Sequence, residues 1–369
     1  MARLGDVATY INGYAFKPDD WSDTGLPIIR IQDLTGNSYQ ANRYNGEYAP
    51  KYEINDGDVL ISWSASLGIY VWHGEKAILN QHIFKVVFDK ADISKSFFVH
   101  QVENILEKAA SSAHGATMKH LTKPVFDALH FYLPPLDEQR KMAAVLDKVS
   151  ELIAKRRKQM DKLDELVKFR FIELFGDTPD NEKQIMADIC KIITDGTHQP
   201  PKFTSTGIPF LFVSNIITNE IHYDAEKFIS EETYAELIKR TPIAIGDILL
   251  STVGSYGHPA IVKSDKPFCF QRHIAYLKPN ADMVNSEYLR GAILSADVQR
   301  QIDERVKGIA QKTLNLSEIR KLRLPVPPMD QQKQYATFVE QTDKSKLTIQ
   351  KSLEKLEILK KALMQEYFG

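Results

Sequence analysis

Gln199-Pro-Pro-Lys202 carries the two prolines of an amino-methyltransferase motif, but the Asn or Asp before them and the aromatic after them are missing. It reads as a plain loop. Other bond-making constellations are absent too: there is no Gly-x4-Gly-Lys-Ser/Thr phosphate loop, no His-Glu-x-x-His pair and no Gly-x-Ser-x-Gly elbow. His73, His82, His114, His198, His258 and His273 are scattered among polar loops, which suits hydrogen bonding better than metal binding. Cys190 and Cys269 fall in no Cys-x-x-Cys or Cys/His ligand spacing, so two buried thiols are expected, without structural zinc or disulfide. The chain reads as a binder without catalytic activity.

The elements that must position a binding surface are written twice. Leu133-Pro-Pro-Leu-Asp137-Glu-Gln139 returns as Val326-Pro-Pro-Met-Asp330-Gln-Gln332, and each copy opens a long helical pattern. Those patterns close on Glu173-Leu-Phe-Gly176 and Glu366-Tyr-Phe-Gly369. Between the anchors Gly5-Asp6 is matched by Ala187-Asp188, Thr24-Gly-Leu-Pro-Ile28 by Thr206-Gly-Ile-Pro-Phe210, and Gly57-Asp-Val-Leu-Ile-Ser62 by Gly246-Asp-Ile-Leu-Leu-Ser251. Gln81-His82-Ile83 is matched by Arg272-His273-Ile274, and Gly115 to Lys119 by Gly308 to Lys312. A repeat this long exceeds solenoid periods of about 50 residues, so it is one domain plus one helix, duplicated. Such an object suits a two-fold or pseudo-two-fold partner.

In the first copy Pro27–Gln32, Asp58–Ser62, Ile69–Trp72 and His82–Phe88 are rich in β-branched and aromatic residues and predict strands. Residues 94–110 predict a helix. In the second copy Asp247–Ser251, Ala260–Val262 and His273–Leu277 predict strands, and Ser286–Ala296 a helix. After each Pro-Pro the chain is free to start a helix that Asp137 or Asp330 can cap. Leu146, Val149, Ile153, Met160, Leu163 and Val167 keep a 4-3 rhythm, as do Val339, Ile349, Leu353, Leu356 and Leu363. A seam of this kind buries itself against another helix, and about 40 residues at about 1.5 Å each exceed the width of a small domain. The two helices are expected to pair antiparallel. The fold class is α+β: two β-rich domains joined by a long antiparallel two-helix coiled coil in a pseudo-two-fold tandem repeat. The boundaries are 1–132 and 177–325 for the domains, and 133–176 and 326–369 for the helices.

The chain has 369 residues and a formal net charge of -1, which argues against a protein that simply coats nucleic acid. A DNA-binding surface would have to be a local groove. No apolar run of about 18 residues and no signal-peptide core is present, so a cytoplasmic protein that contacts no membrane is expected.

The duplicated Pro-Pro helices, Gly-Asp-Val/Ile-Leu strands and Thr-Gly-Leu/Ile-Pro turns, taken in order, resemble the specificity subunit of type I restriction-modification enzymes. The likeness covers essentially the full length and lies in the order of motifs. It implies a non-enzymatic DNA-reading component in which each β-rich domain is a target recognition domain for one half of a split double-stranded DNA sequence. The helices would be spacers that fix the distance between halves. Partners would be two methyltransferase subunits, which carry S-adenosylmethionine, and optionally two ATP-dependent restriction subunits. This chain itself would hold no cofactor and no metal.

Under that resemblance, base edges would be read by polar residues on turns between strands. The first domain offers Arg30, Gln32, Ser62, Ser64, Ser66, Gln81 and His82. The second offers Ser214, Asn215, Thr252, Ser255, Tyr256, His258, Arg272 and His273. Lys119 and Lys312, each four residues after a glycine, would clamp phosphates. The loops between shared motifs differ most: Asp195-Gly-Thr-His-Gln-Pro-Pro201 departs from Asn12-Gly-Tyr-Ala-Phe-Lys-Pro18, and Thr252-Val-Gly-Ser255 from Trp63-Ser-Ala-Ser66. Two different half-targets are therefore expected. A DNA-reading subunit of a related bipartite type II restriction-methylation enzyme, and a coiled-coil scaffold without DNA, remain alternatives.

Overall fold

The structure is a computed structural model that describes residues 2–36, 42–64, 66–112, 122–176, 178–308 and 311–369. It forms two compact units, Met1–Arg157 with Lys351–Gly369, and Lys158–Gln350. The helices Leu136–Phe175 and Met329–Phe368 are each continuous, and each gives one half to each unit. The division falls at equivalent points of the repeat, after Arg157 and after Gln350, so the units exchange matching helix halves. Contact thus groups each β-rich domain with half of each helix, whereas the sequence repeat groups it with one whole helix.

Both units fold on one plan. In the first, an antiparallel sheet runs Thr9–Asn12, Ile83–Val87, Val59–Ser62, Gly68–Val71. A second sheet runs Arg43–Tyr44, Leu26–Ile29, Ala77–Leu79, Glu53–Ile54, with its two middle strands parallel. In the second unit the antiparallel sheet is Cys190–Asp195, Ile274–Pro279, Ile248–Ser251, Pro259–Ile261. Its smaller sheet runs Phe228–Ile229, Ile208–Leu211, Cys269–Phe270, again with a parallel pair. Val59–Ser62 and Ile248–Ser251 are buried on both faces, which explains why they read as unbroken apolar runs.

The repeated motifs persist because each makes the same hydrogen bonds twice. Asp58 accepts the backbone N–H of Asn55 and pairs with Lys85 at 3.0 Å; Asp247 accepts that of Ala244 and pairs with Lys278 at 3.0 Å. Gly57 and Gly246 before them adopt φ of +83° and +94°, which glycine takes without steric cost. The glutamine of each Pro-Pro helix is a buried clip. Gln139 accepts the N–H of Ser94 (2.9 Å) and donates to the carbonyls of Pro134 and Asp92, while Gln332 accepts that of Asn285 (2.8 Å) and donates to Pro327 and Met283. Truncating either leaves buried backbone groups unpaired, at about 1–3 kcal/mol each. Gln139→Ala and Gln332→Ala are each expected to lower the denaturant midpoint without changing the slope; an unchanged midpoint would refute the clip.

Within the first unit Val149 and Ile153 pack on Leu353, Leu356 and Leu363, Arg157 bridges to Glu357 at 2.8 Å, and Phe368 lies edge-on to Phe97. Leu146 is buried as well. Since 136–157 run against 351–369 here, and 158–175 against 329–350 in the other unit, the pairing is antiparallel. The second unit's seam is more polar. Thr342 is buried and bonds back to the Phe338 carbonyl, and Lys346 pairs with Asp164. Met160, Leu163 and Ile349 are half-buried. Val167 and Val339 join the domain core with Phe171, Phe175, Tyr288 and Tyr335, so the seam ends as part of that core instead of as a separate coiled coil.

Three local expectations are corrected. The strand predicted over Pro27–Gln32 ends at Ile29, and Ile31–Leu34 is a helical turn, because the Asp33 carboxylate accepts the Arg30 N–H and turns the chain. Asp137 and Asp330 lie inside the first helical turn, where their charge faces the helix N-terminus, and do not occupy the cap position. The helix predicted over Ser286–Ala296 is two, Ser286–Leu294 and Ala296–Arg305, because Ser295 is extended and its hydroxyl caps the second at Val298. Among the described residues no helix is long and apolar enough to cross a membrane.

Candidate nucleic-acid interface

In each unit loops meet at the end of the antiparallel sheet, four of them in the second unit. In the second unit the backbone N–H of Arg272 donates to the Thr197 carbonyl (3.0 Å) and that of Thr197 to Phe270 (3.2 Å). The N–H of Thr252 donates to His273 (3.0 Å), that of Leu314 to Thr252 (2.8 Å) and that of Gly254 to Lys312 (3.1 Å). These contacts enclose a cleft of about 430 Å³ whose polar lining includes Asp195, Thr252, Arg272, His273, Gln311 and Asn315. Among the described residues the first unit repeats three of these loops. The N–H of Gln81 donates to Tyr14 (2.8 Å), that of Tyr14 to Leu79 (2.8 Å) and that of Trp63 to His82 (3.2 Å). A Cβ at Gly13 or Gly196 would lie 2.0 Å or 2.2 Å from the carbonyl oxygen of Asn80 or Phe270, so only glycine admits this approach.

Four equivalent positions are thus assembled twice, three with different chemistry and one a histidine in both: Asn12, Trp63, Gln81 and His82 in one unit, Asp195, Thr252, Arg272 and His273 in the other. The Trp63 indole N–H donates to Asn12 Oδ1 at 3.1 Å, and its ring stacks on Phe84 and meets His82 edge-on. Asp195 is paired with Arg240 and, at 2.9 Å, with His198. Arg272 is exposed, and its Nε–H donates to His273 Nε2 at 3.4 Å. Burial, followed by the Arg272 charge, holds the His273 imidazole below the usual histidine range, so at neutral pH it is the neutral acceptor this bond requires.

The remaining candidates divide by environment. Ser62 is buried with its hydroxyl on the Ser66 carbonyl, and Ser64 is buried. Asn215 is buried too: its amide ties Phe212, His222 and Asp224 together and shapes the fold. Arg30 is half-buried against Asp33 at 3.3 Å, and Tyr256 donates to Asp303 at 2.9 Å. Gln32, Ser66, Ser214, Ser255 and Lys312 are exposed, and His258 is half-buried. Lys119 lies outside the described residues. The cleft therefore brings together Thr252, Arg272 and His273, and adds Asp195, Gln311 and Asn315. Of these additions, Asp195 could have been found from its match to Asn12 in the repeat. Among the described residues no group of His, Cys, Asp and Glu could hold a metal ion, and burial pushes the thiols of Cys190 and Cys269 up to about 12.

Comparison with known proteins agrees with this geometry. The family model described as type I restriction modification DNA specificity domain matches residues 1–163 and again 180–359. The chain is 26% identical to the type I restriction enzyme EcoBI specificity subunit of Escherichia coli, over 92% of this chain and 78% of that one. It is 20% identical to the MjaVIII specificity subunit of Methanocaldococcus jannaschii, over 99% of this chain and 90% of that one. Among solved structures, a type I restriction-modification S subunit from M. genitalium superposes with a TM-score of 0.56 at 13% identity, covering 100% of this chain and 95% of the other. That likeness shows a shared fold.

Proposed function

The chain belongs to the type I restriction-modification DNA specificity family, whose members recognise DNA and are not catalysts, and from that premise we propose that each β-rich domain reads one half of a bipartite duplex target. The paired helices set the unspecified gap. The observation that carries this reading is the quartet of equivalent positions, held by the same backbone bonds in both units, in which a histidine is kept and the other three side chains differ. A shared scaffold with divergent tips suits two different half-targets. Sequencing of genomic fragments retained by the chain in complex with its methyltransferase partner should return one split motif with a fixed gap. A continuous motif, or none, contradicts the reading.

On the same reading the chain recruits two methyltransferase subunits, which supply S-adenosylmethionine, and restriction subunits with ATP and Mg²⁺ where the system has them. Its place of action is then the cytoplasm. In the second unit Phe169 and Ile172 are 66% and 53% exposed, and with Leu166 and Phe338 they line a shallow groove edged by Arg170 and Glu173. An exposed apolar face with a charged rim suits a protein partner, here a methyltransferase subunit. Phe169→Asp should weaken co-purification with that subunit at least tenfold, since a buried aromatic anchor is commonly worth about 2 kcal/mol or more. Unchanged recovery would move the docking face elsewhere.

A further inference from the structure

We infer that the residue before the histidine at each loop junction discriminates a base: Gln81 selects an adenine in one half-target and Arg272 a guanine in the other. This rests on the reading that each domain takes one half-target, and it names the chemistry that each takes there.

The two positions are equivalent in the repeat, and in each the backbone N–H is bonded to the neighbouring loop, although Gln81 is half-buried and Arg272 exposed. The backbone N–H of Gln81 is fixed by the Tyr14 carbonyl and by Asn80 Oδ1 (2.9 Å), and that of Arg272 by the Thr197 carbonyl. Each stands beside the glycine that closely approaches the neighbouring strand end. The main chain is therefore set while the side chain is left to choose a partner. Around them, other polar groups are already engaged: Asn12 by Trp63, Asp195 by Arg240 and His198, and Ser62 by the Ser66 carbonyl.

The side chains at 81 and 272 are different. Among the described residues no partner is seen for the Gln81 amide or the Arg272 Nη atoms, and no carboxylate pairs with Arg272. The bond from Arg272 Nε to His273 Nε2 uses one donor and leaves the terminal pair as a two-donor fork. Guanine offers two acceptors, O6 and N7, on its major-groove edge, which that fork matches. Adenine offers an acceptor and a donor, N7 and the N6 amino group, which match a glutamine amide and not a guanidinium. His273 is a positioning residue on this account. Its neutral ring accepts from Arg272, and the charged group that it faces is Arg272 itself, with Asp195 across the cleft already neutralised.

A correct bidentate pair discriminates by about 5- to 150-fold per base. The test uses the full chain co-expressed with its methyltransferase partner, with methylated adenines mapped across host DNA for the native protein, Arg272→Gln and Gln81→Arg. The native motif should hold a guanine in one half that R272Q changes to adenine at that one position, leaving the other half and the gap intact. Q81R should make the reverse change in the other half. A native motif whose R272Q-sensitive half lacks guanine overturns the inference, as do variants with unaltered motifs. If R272Q methylates nowhere, Arg272→Lys decides. Retained guanine with methylation weakened about tenfold supports base reading, and equal weakening on every sequence overturns it. A native complex with no split motif would instead sink the reading of paired half-targets.

Discussion

Glutamate at both Ile153 and Leu353 is expected to abolish two-part recognition while leaving both β-rich domains folded. These side chains are 8% and 9% exposed and meet within one apolar seam. An ionised carboxylate there has no partner, and a second beside it adds like-charge repulsion, so a combined penalty of about 4–6 kcal/mol is expected. That corresponds to a loss of roughly 10³- to 10⁴-fold in any activity that needs the helices paired. The domain cores do not depend on this seam: the first unit is built on Leu4, Tyr10, Phe84, Phe97, Phe98 and Phe126, and the second on Ile248, Tyr288 and Leu289. Circular dichroism should therefore keep its β signal while site-specific methylation disappears. Methylation at the native level would show that the seam does not carry recognition. The equivalent of Ile153 in the second unit's seam is already Lys346, so Lys346→Glu, opposite Asp164, should cost less.

A chain made of two copies of residues 1–176 should methylate a target in which one half-sequence occurs twice. The compact units already exchange equivalent helix halves, so a second copy can supply the half that 351–369 supplies in the native chain. Val149 and Ile153 would then meet Met160 and Leu163, which stand where Leu353 and Leu356 stand now. The seam would stay apolar apart from Arg170. Each wrong base pair costs about 1–3 kcal/mol, so a half-target differing at three positions is discriminated by roughly 10²-fold or much more. Retention of the native target would mean that the domains do not read separate halves.

The duplication was legible because its motifs are structural. Gln139 and Gln332, and Asp58 and Asp247, make the same bonds in both copies, and a change at either glutamine would leave buried backbone groups unpaired. The helix seam was legible for a similar reason, through its 4-3 rhythm. Its limits were not, since the merging of Val167 and Val339 with the core depends on where Phe171, Tyr288 and Tyr335 meet. The candidate site was only partly legible. Arg272, His273 and Thr252 stood out as polar residues next to strand patterns, but Asp195 joins them through tertiary contacts, its ladder pairing with Ala275 and the bridge between Thr197 and Gln271. Asn215 looked like a reader by type, yet its amide is spent on three backbone groups. Arg30 and Gln32 fall in a strand pattern because Ile28-Ile29-Arg30-Ile31 is β-rich, whereas Asp33 two residues later decides the turn.

Long-read mapping of methylated adenines in DNA exposed to this chain with its methyltransferase partner tests whether the two domains read separate half-targets. The expected result is a split motif of two different half-sequences separated by a fixed unspecified gap. Methylation of a continuous motif, or of identical halves by the native chain, would contradict it.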